Sequence, residues 1–182
     1  ELFLRDASFY RDLSVMEFSS AIAFRHSIRH FSARPVPDPV LQAIAEDATR
    51  APSQLNGQDW KIWISTGKSL DAIRSEFDER NRAGIPPSTD FANLPLSERS
   101  PEVRARMEAL EAFLLLAAAS RGVGSIPAFN LVRYPDIVKR VLGIPDNLIL
   151  AIGIGLGYPA DSPLNRLRTG RVPVSEILTL KH

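Results

Sequence analysis

The stretch APSQLNGQDW, Ala51 to Trp60, carries more amide and hydroxyl groups than a connection between two secondary-structure elements needs. A helical pattern leads into it and a β-type pattern follows it. A polar turn in which Ser53 or Asn56 bonds to local backbone explains two of these residues. Asn56 and Gln58 also offer donors and acceptors suited to a polar ring edge or a polyol. The pattern favours a ligand-binding loop, with a simple polar turn as the alternative.

Composition excludes several classes of function. The chain has 182 residues, of which 45% are apolar and 24% charged, with a formal net charge of +1. This suits a single domain or one subunit of an oligomer. Because the net charge is close to zero, we expect no nucleic-acid or membrane partner, and any anion site must be local. The absence of cysteine excludes disulfides, thiolate metal sites and cysteine catalysis.

Other sequence signals predict a cytoplasmic protein that binds no metal ion. The three histidines show no metal-ligand spacing supported by carboxylates, so we predict no metal site. No apolar run approaches the ~20 residues that span a bilayer. The N-terminal residues lack the apolar region of a signal peptide. We therefore expect a cytoplasmic protein.

Apolar spacing predicts two helices before the polar loop. The first is expected from about Val15 to Arg25. The second is expected to begin with Asp38 as N-cap and Pro39 at the first helical position, and to end near Arg50.

Three more helices are predicted after the loop. They are LDAIRSEFDERN with Ser69 as its cap, MEALEAFLLLAAASRGVGS ending at Gly122, and YPDIVKRVLGIP from Pro135 to Gly143. The broad apolar face of the second predicts burial on two sides, in a core or a dimer interface.

Two strands complete the prediction of an α+β single domain over residues 1–182. WKIWIST is rich in β-type residues, and LILAIGIGLGYP has the pattern of a buried strand. Residues 83–106 hold several prolines and polar residues and are predicted to form a mobile excursion or lid. The tail NRLRTGRVPVSEILTLKH is predicted to be extended and able to wrap another subunit.

The segment FRHSIRHF is a candidate anion site. Arg25, Ser27 and Arg29 alternate, so in extended geometry they project to one side. Two guanidinium groups flanking a hydroxyl suit an anion, because arginine offers planar paired donors. The alternative is a solvated basic end of a helix.

Two further segments are weaker candidates. Arg166, Arg168 and Arg171 in the tail could add positive charge for a phosphate dianion, or form a solvated face. GSIPAFN could present backbone N–H groups to a ligand, although an ordinary loop between helices is the favoured interpretation. The chain has no GxGxxG, Walker A or GxSxG pattern, which argues against Rossmann, P-loop and α/β-hydrolase sites.

RHSIRHF, APSQLNGQDW, GIGLGYP and NRLRTGRVP together resemble the nitroreductase family in their order along the chain. The resemblance implies an FMN-dependent, NAD(P)H-oxidising flavoprotein. It also implies a central, mostly antiparallel sheet sandwiched by helices in an intertwined homodimer, with FMN at the interface. Matches in PPSTDF and near the tail are similar to the nitrobenzoate-reductase branch. The family motif usually ends QPW, whereas this chain has Asp59, for which we have no functional account.

The resemblance assigns FMN-binding residues in both subunits. In one subunit Arg25, His26, Ser27 and Arg29 would hold the phosphate, the ribityl chain and the pyrimidine edge, with Arg29 near flavin N1 and O2. From the partner, Pro52, Ser53 and Asn56 would line the ribityl chain and ring, with Gln58 supporting that loop. Further implied contacts are Pro127, Ala128 and Phe129 against the ring, the last through its backbone, and Arg168 and Arg171 at the phosphate.

The implied reaction is a ping-pong transfer of hydride from NADH or NADPH through flavin N5 to an electron-poor acceptor, such as a nitroaromatic or a quinone. No catalytic side chain is required, because the flavin carries the chemistry. The alternatives are a family relative that acts as a dehalogenase or dehydrogenase, and a non-catalytic FMN-binding module.

One departure from the family concerns the residues before MEALEAFLLLAAAS. Family members usually carry another helix and a central strand there, whereas this chain has only PPSTDFANLPLSERSPEVRAR. Either the protein lacks that strand, or residues are missing between 83 and 107. We favour the second explanation, because loss of a central strand leaves unpaired backbone groups and an open sheet edge.

Overall fold

The computed structural model describes residues 16–53, 56–58, 60–90 and 101–181, the last range with side chains from 108 onward. Its helices are α1 (Phe18–Phe24), α2 (Asp38–Ala48), α3 (Gly67–Arg82), α4 (Pro101–Ser120), α5 (Pro135–Leu142) and the single turn α6 (Val174–Ile177). Its strands are β1 (Gly124–Ala128) and β2 (Gly153–Gly157), and 3₁₀ turns follow at Phe129–Val132 and Pro163–Arg166. The predicted α+β class is confirmed. None of the described helices is both long and apolar enough to cross a bilayer.

The two strands form an antiparallel pair in which Gly124 lies opposite Gly157 and Ala128 opposite Gly153. The GSIPAFN segment is therefore mostly β1, and the favoured interpretation as a loop between helices was wrong. The partner that makes it a strand lies about thirty residues further along the chain, so local sequence could not reveal the pairing. The late strand is present, but only over its glycine-rich half.

The basic segment 27–31 lies along this pair. Ser27 bridges Ser125 in parallel, the N–H of Ile28 donates to the carbonyl oxygen of Ser125 at 2.9 Å, and Phe31 bridges Pro159. Of the two interpretations of this segment, the extended geometry is therefore the one observed over residues 27–31.

Glycines allow that close approach. A Cβ at Gly124 would lie 2.6 Å from Cγ1 of Ile28, and one at Gly157 would lie 2.8 Å from Cδ1 of Phe31. Side-chain carbon atoms do not approach that closely, so the glycine-rich run GIGLG and its partner Gly124 are needed for packing. The run starts no helix, in agreement with the absence of a phosphate-binding glycine motif.

Two apolar clusters hold the helices. In the main core α2 packs on α4 through buried residues that include Val40, Ile44, Leu114 and Ala118. In the second core α3 packs on α5 around Ile73, Tyr134, Ile137 and Val138. Phe113 remains 40% exposed on α4, so one chain does not bury both sides of that helix.

Helix beginnings differ from the predictions by a few residues. α1 begins at Phe18 rather than near Val15, which lies outside the described residues. In α2, Pro37 is the N-cap and Asp38 is the first helical residue. α3 begins at Gly67, and Ser69 donates from Oγ to the carbonyl oxygen of Thr66 at 2.9 Å instead of capping the helix.

Residues 60–66 are not a strand, so the prediction for WKIWIST was wrong. The described residues offer this segment no neighbouring strand, and a strand needs one to pair its N–H and C=O groups. Ile62 packs against the main core, whereas Trp63 and Ile64 are 37% and 44% exposed.

The predicted excursion over 83–106 is structured at both ends. The hydroxyl of Tyr134 donates to the carbonyl oxygen of Ile85 at 2.7 Å. Asp90 pairs with Lys139 at 2.8 Å and accepts from the N–H of Leu150 at 3.0 Å. Residues 101–106 already belong to α4. Residues 91–100 of the predicted lid lie outside the described residues.

Replacement of Gly157 by alanine should destabilise the protein by about 1–3 kcal/mol, because the new methyl group overlaps the ring of Phe31. Urea unfolding at neutral pH would measure the change. Gly170→Ala is the control, since a Cβ at Gly170 would have no other atom within 4 Å. Equal midpoints for the two variants would contradict this account of the glycine run.

The contact between α3 and α5 should weaken in acid. Arg80 donates from both terminal nitrogens to the carboxylate of Asp136, and this hydrogen bonding lowers the pKa of Asp136. A lowered carboxyl pKa contributes stability above its unfolded value, and this contribution is lost as the pH falls through the folded value. Asp136→Asn should therefore reduce the loss of stability between about pH 5 and pH 2 in urea titrations. Asp71→Asn, at an exposed carboxylate 3.9 Å from Arg74, is the control and should leave the profile unchanged.

Candidate functional site

Asn165 connects the tail to the basic segment. It is only 8% exposed. Its Oδ1 accepts from the backbone N–H groups of Arg29 at 2.9 Å and His30 at 3.1 Å. Its Nδ2 donates to the carbonyl oxygens of His30 at 2.7 Å and Ala160 at 2.9 Å. All four hydrogen-bonding positions of the amide are thereby used.

The backbone carbonyl of Asn165 gathers two more predicted site residues. It lies 3.0 Å from Nε2 of His26 and accepts from Nη1 of Arg168 at 3.0 Å. The other ring nitrogen of His26 lies 2.8 Å from the carbonyl oxygen of Phe24. His26, Arg29 and Arg168 therefore meet around one buried residue.

Most arginines elsewhere in the described chain are neutralised or stacked. Seven lie within 4.0 Å of a carboxylate oxygen: Arg50, Arg74, Arg80, Arg82, Arg121, Arg140 and Arg166. Arg34 lies over the ring of Tyr158 at 4.1 Å, and Arg133 over that of Tyr134 at 5.1 Å.

Four arginines are left among those whose side chains are described: Arg25, Arg29, Arg168 and Arg171. None of them has an ion-pair partner among the described residues. Arg29 and Arg168 are exposed and bond only to carbonyl oxygens. Positive charge without a carboxylate partner fits an anionic ligand. Within the described residues no cluster of acidic and histidine side chains could hold a metal ion.

Arg25 and Arg171 make no hydrogen bond to Asn165 among those of the described residues. Arg171 is exposed and folds onto its own neighbours, with its Nη1 donating to Oγ1 of Thr169 at 2.9 Å. Arg25 lines a groove of about 310 Å³ between α1 and α4 together with apolar residues, Glu108 and Glu111. Burial, reinforced by Glu108, raises the pKa of Glu111.

The opening loop bonds to itself within the chain. The N–H of Asn56 donates to the carbonyl oxygen of Ser53 at 3.0 Å, and the N–H of Gln58 donates to Oγ of Ser53 at 3.2 Å. Nε2 of Gln58 donates to Oδ1 of Asn56 at 2.6 Å. The φ angles of Asn56 and Gln58 are 57° and 47°, in the region that asparagine tolerates best. The polar-turn alternative thus explains these contacts, and Gln58 supports the loop.

No hydrogen bond between described residues joins this loop to Arg29 or Asn165. Pro52 is exposed, and Gln54, Leu55 and Asp59 lie outside the described residues. A role for Pro52, Ser53 and Asn56 toward a ligand therefore stays a prediction.

The third predicted segment sits at the end of β1. Pro127 pairs with Ile154, Ala128 pairs with Gly153, and Phe129 begins a 3₁₀ turn with 52% of its surface exposed. Because Ser27 bridges β1, this segment and the basic segment share one small sheet. Sequence reasoning assigned no role to Asn165 although it opens NRLRTGRVP, since a single asparagine beside arginines gives no periodic signal.

Comparisons with known sequences and structures show which proteins this chain is similar to. The sequence profile of the nitroreductase family matches residues 22–99. A protein of Thermus thermophilus named NADH dehydrogenase is 28% identical over 200 residues, covering 88% of this chain and 96% of the relative. A 4-nitrobenzoate reductase of Pseudomonas putida is 24% identical, covering 85% and 91%.

These matches support assignment of the chain to the nitroreductase family. Solved structures of this fold agree with it. The FMN-dependent nitroreductase NfnB of Mycobacterium smegmatis, solved with NADPH, has a TM-score of 0.80 at 21% identity, covering 90% of this chain and 97% of that one. The FMN- and NADPH-dependent nitroreductase NfnB of a Sphigopyxis strain also has a TM-score of 0.80, at 22% identity, covering 92% and 100%.

The chain is shorter in places than the relative from Thermus thermophilus. The alignment with the Thermus relative runs over 200 positions, whereas 88% of 182 residues is about 160, so about 40 positions lack a counterpart here. That is enough for a typical helix of about 11 residues and a strand of about 6.

Proposed function

We propose that this protein is an FMN-dependent oxidoreductase that uses NADH or NADPH to reduce an electron-poor acceptor, such as a nitroaromatic or a quinone. The observation that carries the proposal is the set of arginines without carboxylate partners, two of which meet at Asn165 on the family's own motifs. A dianionic phosphate ester is the ligand group that such a set would hold.

Bound FMN supplies the transfer of hydride at its N5 atom. The chain's own residues bind and orient the group. Arg168, with Arg25 and Arg171, would hold the phosphate, and Arg29 would place positive charge near the pyrimidine edge. Phe129, half-exposed at the end of β1, would pack on the ring beside Pro127 and Ala128. His26 and Ser27 would line the ribityl chain.

The working unit is proposed to be a homodimer with a flavin at each of two shared sites. Large apolar side chains are exposed on α1, α4 and the tail, including Phe18, Ile22, Phe113, Ile177 and Leu180. A second copy would cover them. It would also supply Pro52, Ser53 and Asn56, which lack bonds to the Asn165 region within one chain. A protein without cysteine suits the reducing cytoplasm.

The purified protein should be yellow and should lose its flavin colour when NADH or NADPH is added without oxygen, because reduced flavin absorbs only weakly in the visible band of oxidised flavin. Subsequent addition of a nitroaromatic or a quinone should restore the colour. If neither nucleotide reduces the bound flavin, or if no acceptor reoxidises the reduced flavin, the protein is an FMN-binding module and not an enzyme. Colourless protein that FMN does not reconstitute would refute the proposal.

The shared site predicts complementation between two variants. Arg29→Ala removes a charged contact and should weaken FMN binding by roughly tenfold or more. Asn56→Gly removes the amide while keeping the positive φ that glycine accepts. In a heterodimer of these variants one site carries both defects and the other carries none. The heterodimer should therefore bind FMN with wild-type affinity at one of its two sites.

Flavin fluorescence titration of heterodimers purified with two different tags measures the result. Arg74→Ala, at an exposed ion-paired arginine on α3, is the control and should leave binding unchanged. If both residues of a site come from the same chain, each heterodimer site carries one defect and no wild-type site appears. A monomer by light scattering would also exclude the shared site.

A further inference from the structure

Asn165 holds together parts of the chain that are far apart in sequence. The residue that it clamps in the basic segment, Arg29, lies 136 positions earlier. Its side chain also joins the turn at Pro163–Arg166 to Ala160 through Nδ2. These bonds fix the position of the tail relative to the sheet. Its own N–H donates to the carbonyl oxygen of Ser162 at 3.0 Å.

We propose that Asn165 is a positioning residue for phosphate recognition. It fixes the position of the tail against the basic segment, so that Arg168 and Arg29 can bind the same ligand. The inference rests on the proposed function and assigns a role to Asn165, the first residue of the NRLRTGRVP motif, to which the resemblance gave none. Asn165 need not touch the flavin. It acts through the backbone of Arg29 and the guanidinium of Arg168.

The chemistry of the site requires an amide at this position. Two backbone N–H groups and two carbonyl oxygens converge on the side chain, and only a group with two acceptor and two donor positions satisfies all four. Aspartate lacks the donors, and an apolar residue leaves all four buried groups without partners. The location of Arg168 follows from the clamp, because its Nη1 bonds to the carbonyl oxygen of Asn165 itself.

A flexible arginine gains binding strength when it is held in place beforehand, because less side-chain entropy is lost on ligand binding. Loss of the clamp should therefore harm recognition of the phosphate, which Arg168 would hold, more than recognition of the ring, which keeps its proposed contacts with Pro127, Ala128 and Phe129. The pair of FMN and riboflavin separates these effects, since riboflavin has the same ring and ribityl chain but no phosphate.

The test compares Asn165→Ala with Ser162→Ala in the full chain. Ser162 is a matched control. It is 6% exposed, lies in the same turn and bonds to His30 Nδ1 at 2.9 Å and to the N–H of Leu164 at 3.3 Å. It has no hydrogen bond to Arg29 or Arg168. Affinities of the flavin-free proteins for FMN and riboflavin are measured by fluorescence quenching, and thermal midpoints are recorded in parallel.

Asn165→Ala should lower FMN affinity by roughly tenfold or more and riboflavin affinity by much less, so that the preference for FMN collapses. Ser162→Ala should keep the preference even where its thermal midpoint falls by a similar amount. Equal losses for both flavins in Asn165→Ala, or the same collapse in Ser162→Ala, would overturn the inference and leave Asn165 as a fold residue only.

Arg168→Met gives an independent test that does not depend on the folding of Asn165→Ala. Arg168 is exposed, so its replacement should spare stability. It should reproduce the loss of preference for FMN. An unchanged preference would overturn the inference. If the wild-type protein binds neither FMN nor riboflavin, the proposed function is refuted. If the variants keep the preference of the wild-type protein for FMN, only the role of Asn165 is refuted.

Discussion

The rest of the structure depends on one contact, in which segment 27–31 packs against the glycine residues of β1 and β2. Ile28 and Phe31 occupy space that any Cβ at Gly124 or Gly157 would take. Because the segment lies flat on the strands, its backbone N–H groups at Arg29 and the next residue point to the tail and are bound there by one amide. Packing at the glycines thus determines where the positive charge of the segment is presented.

The distribution of charge follows from the same arrangement. Arginines on the helices find carboxylates nearby, and Arg121 is almost fully buried with Asp47 as its partner. Arg29 and Arg168 are instead bound to backbone carbonyl oxygens, which orient a guanidinium without neutralising it. In a protein with a net charge of +1, Arg29 and Arg168 therefore keep positive charge that no described carboxylate offsets. Such charge favours a phosphate ester without attracting polyanions over the whole surface.

Local patterns predicted much of the helical structure and part of the site. The Pro135–Leu142 helix was predicted with its proline start and its left-handed end at Gly143, because capping signals act within a few residues. The alternation of Arg25, Ser27 and Arg29 was compatible with an extended segment or with a basic helix end, and the structure shows the extended one. The interpretation of 124–128 as a loop and of 60–66 as a strand failed for one reason. A strand exists only where a distant partner offers its hydrogen bonds, and β1 has that partner whereas the described residues give 60–66 none.

By itself, the sequence determined the class of fold and the resemblance to the nitroreductase family, because residue type, short spacing and the order of the motifs carry that information. Only the tertiary structure decided which arginines remain without carboxylate partners and how Asn165 joins the tail to the basic segment. It also decided that the loop at Ala51–Trp60 bonds to itself within one chain. These outcomes depend on contacts between residues more than a hundred positions apart, or on which polar groups find local partners. No local pattern records either.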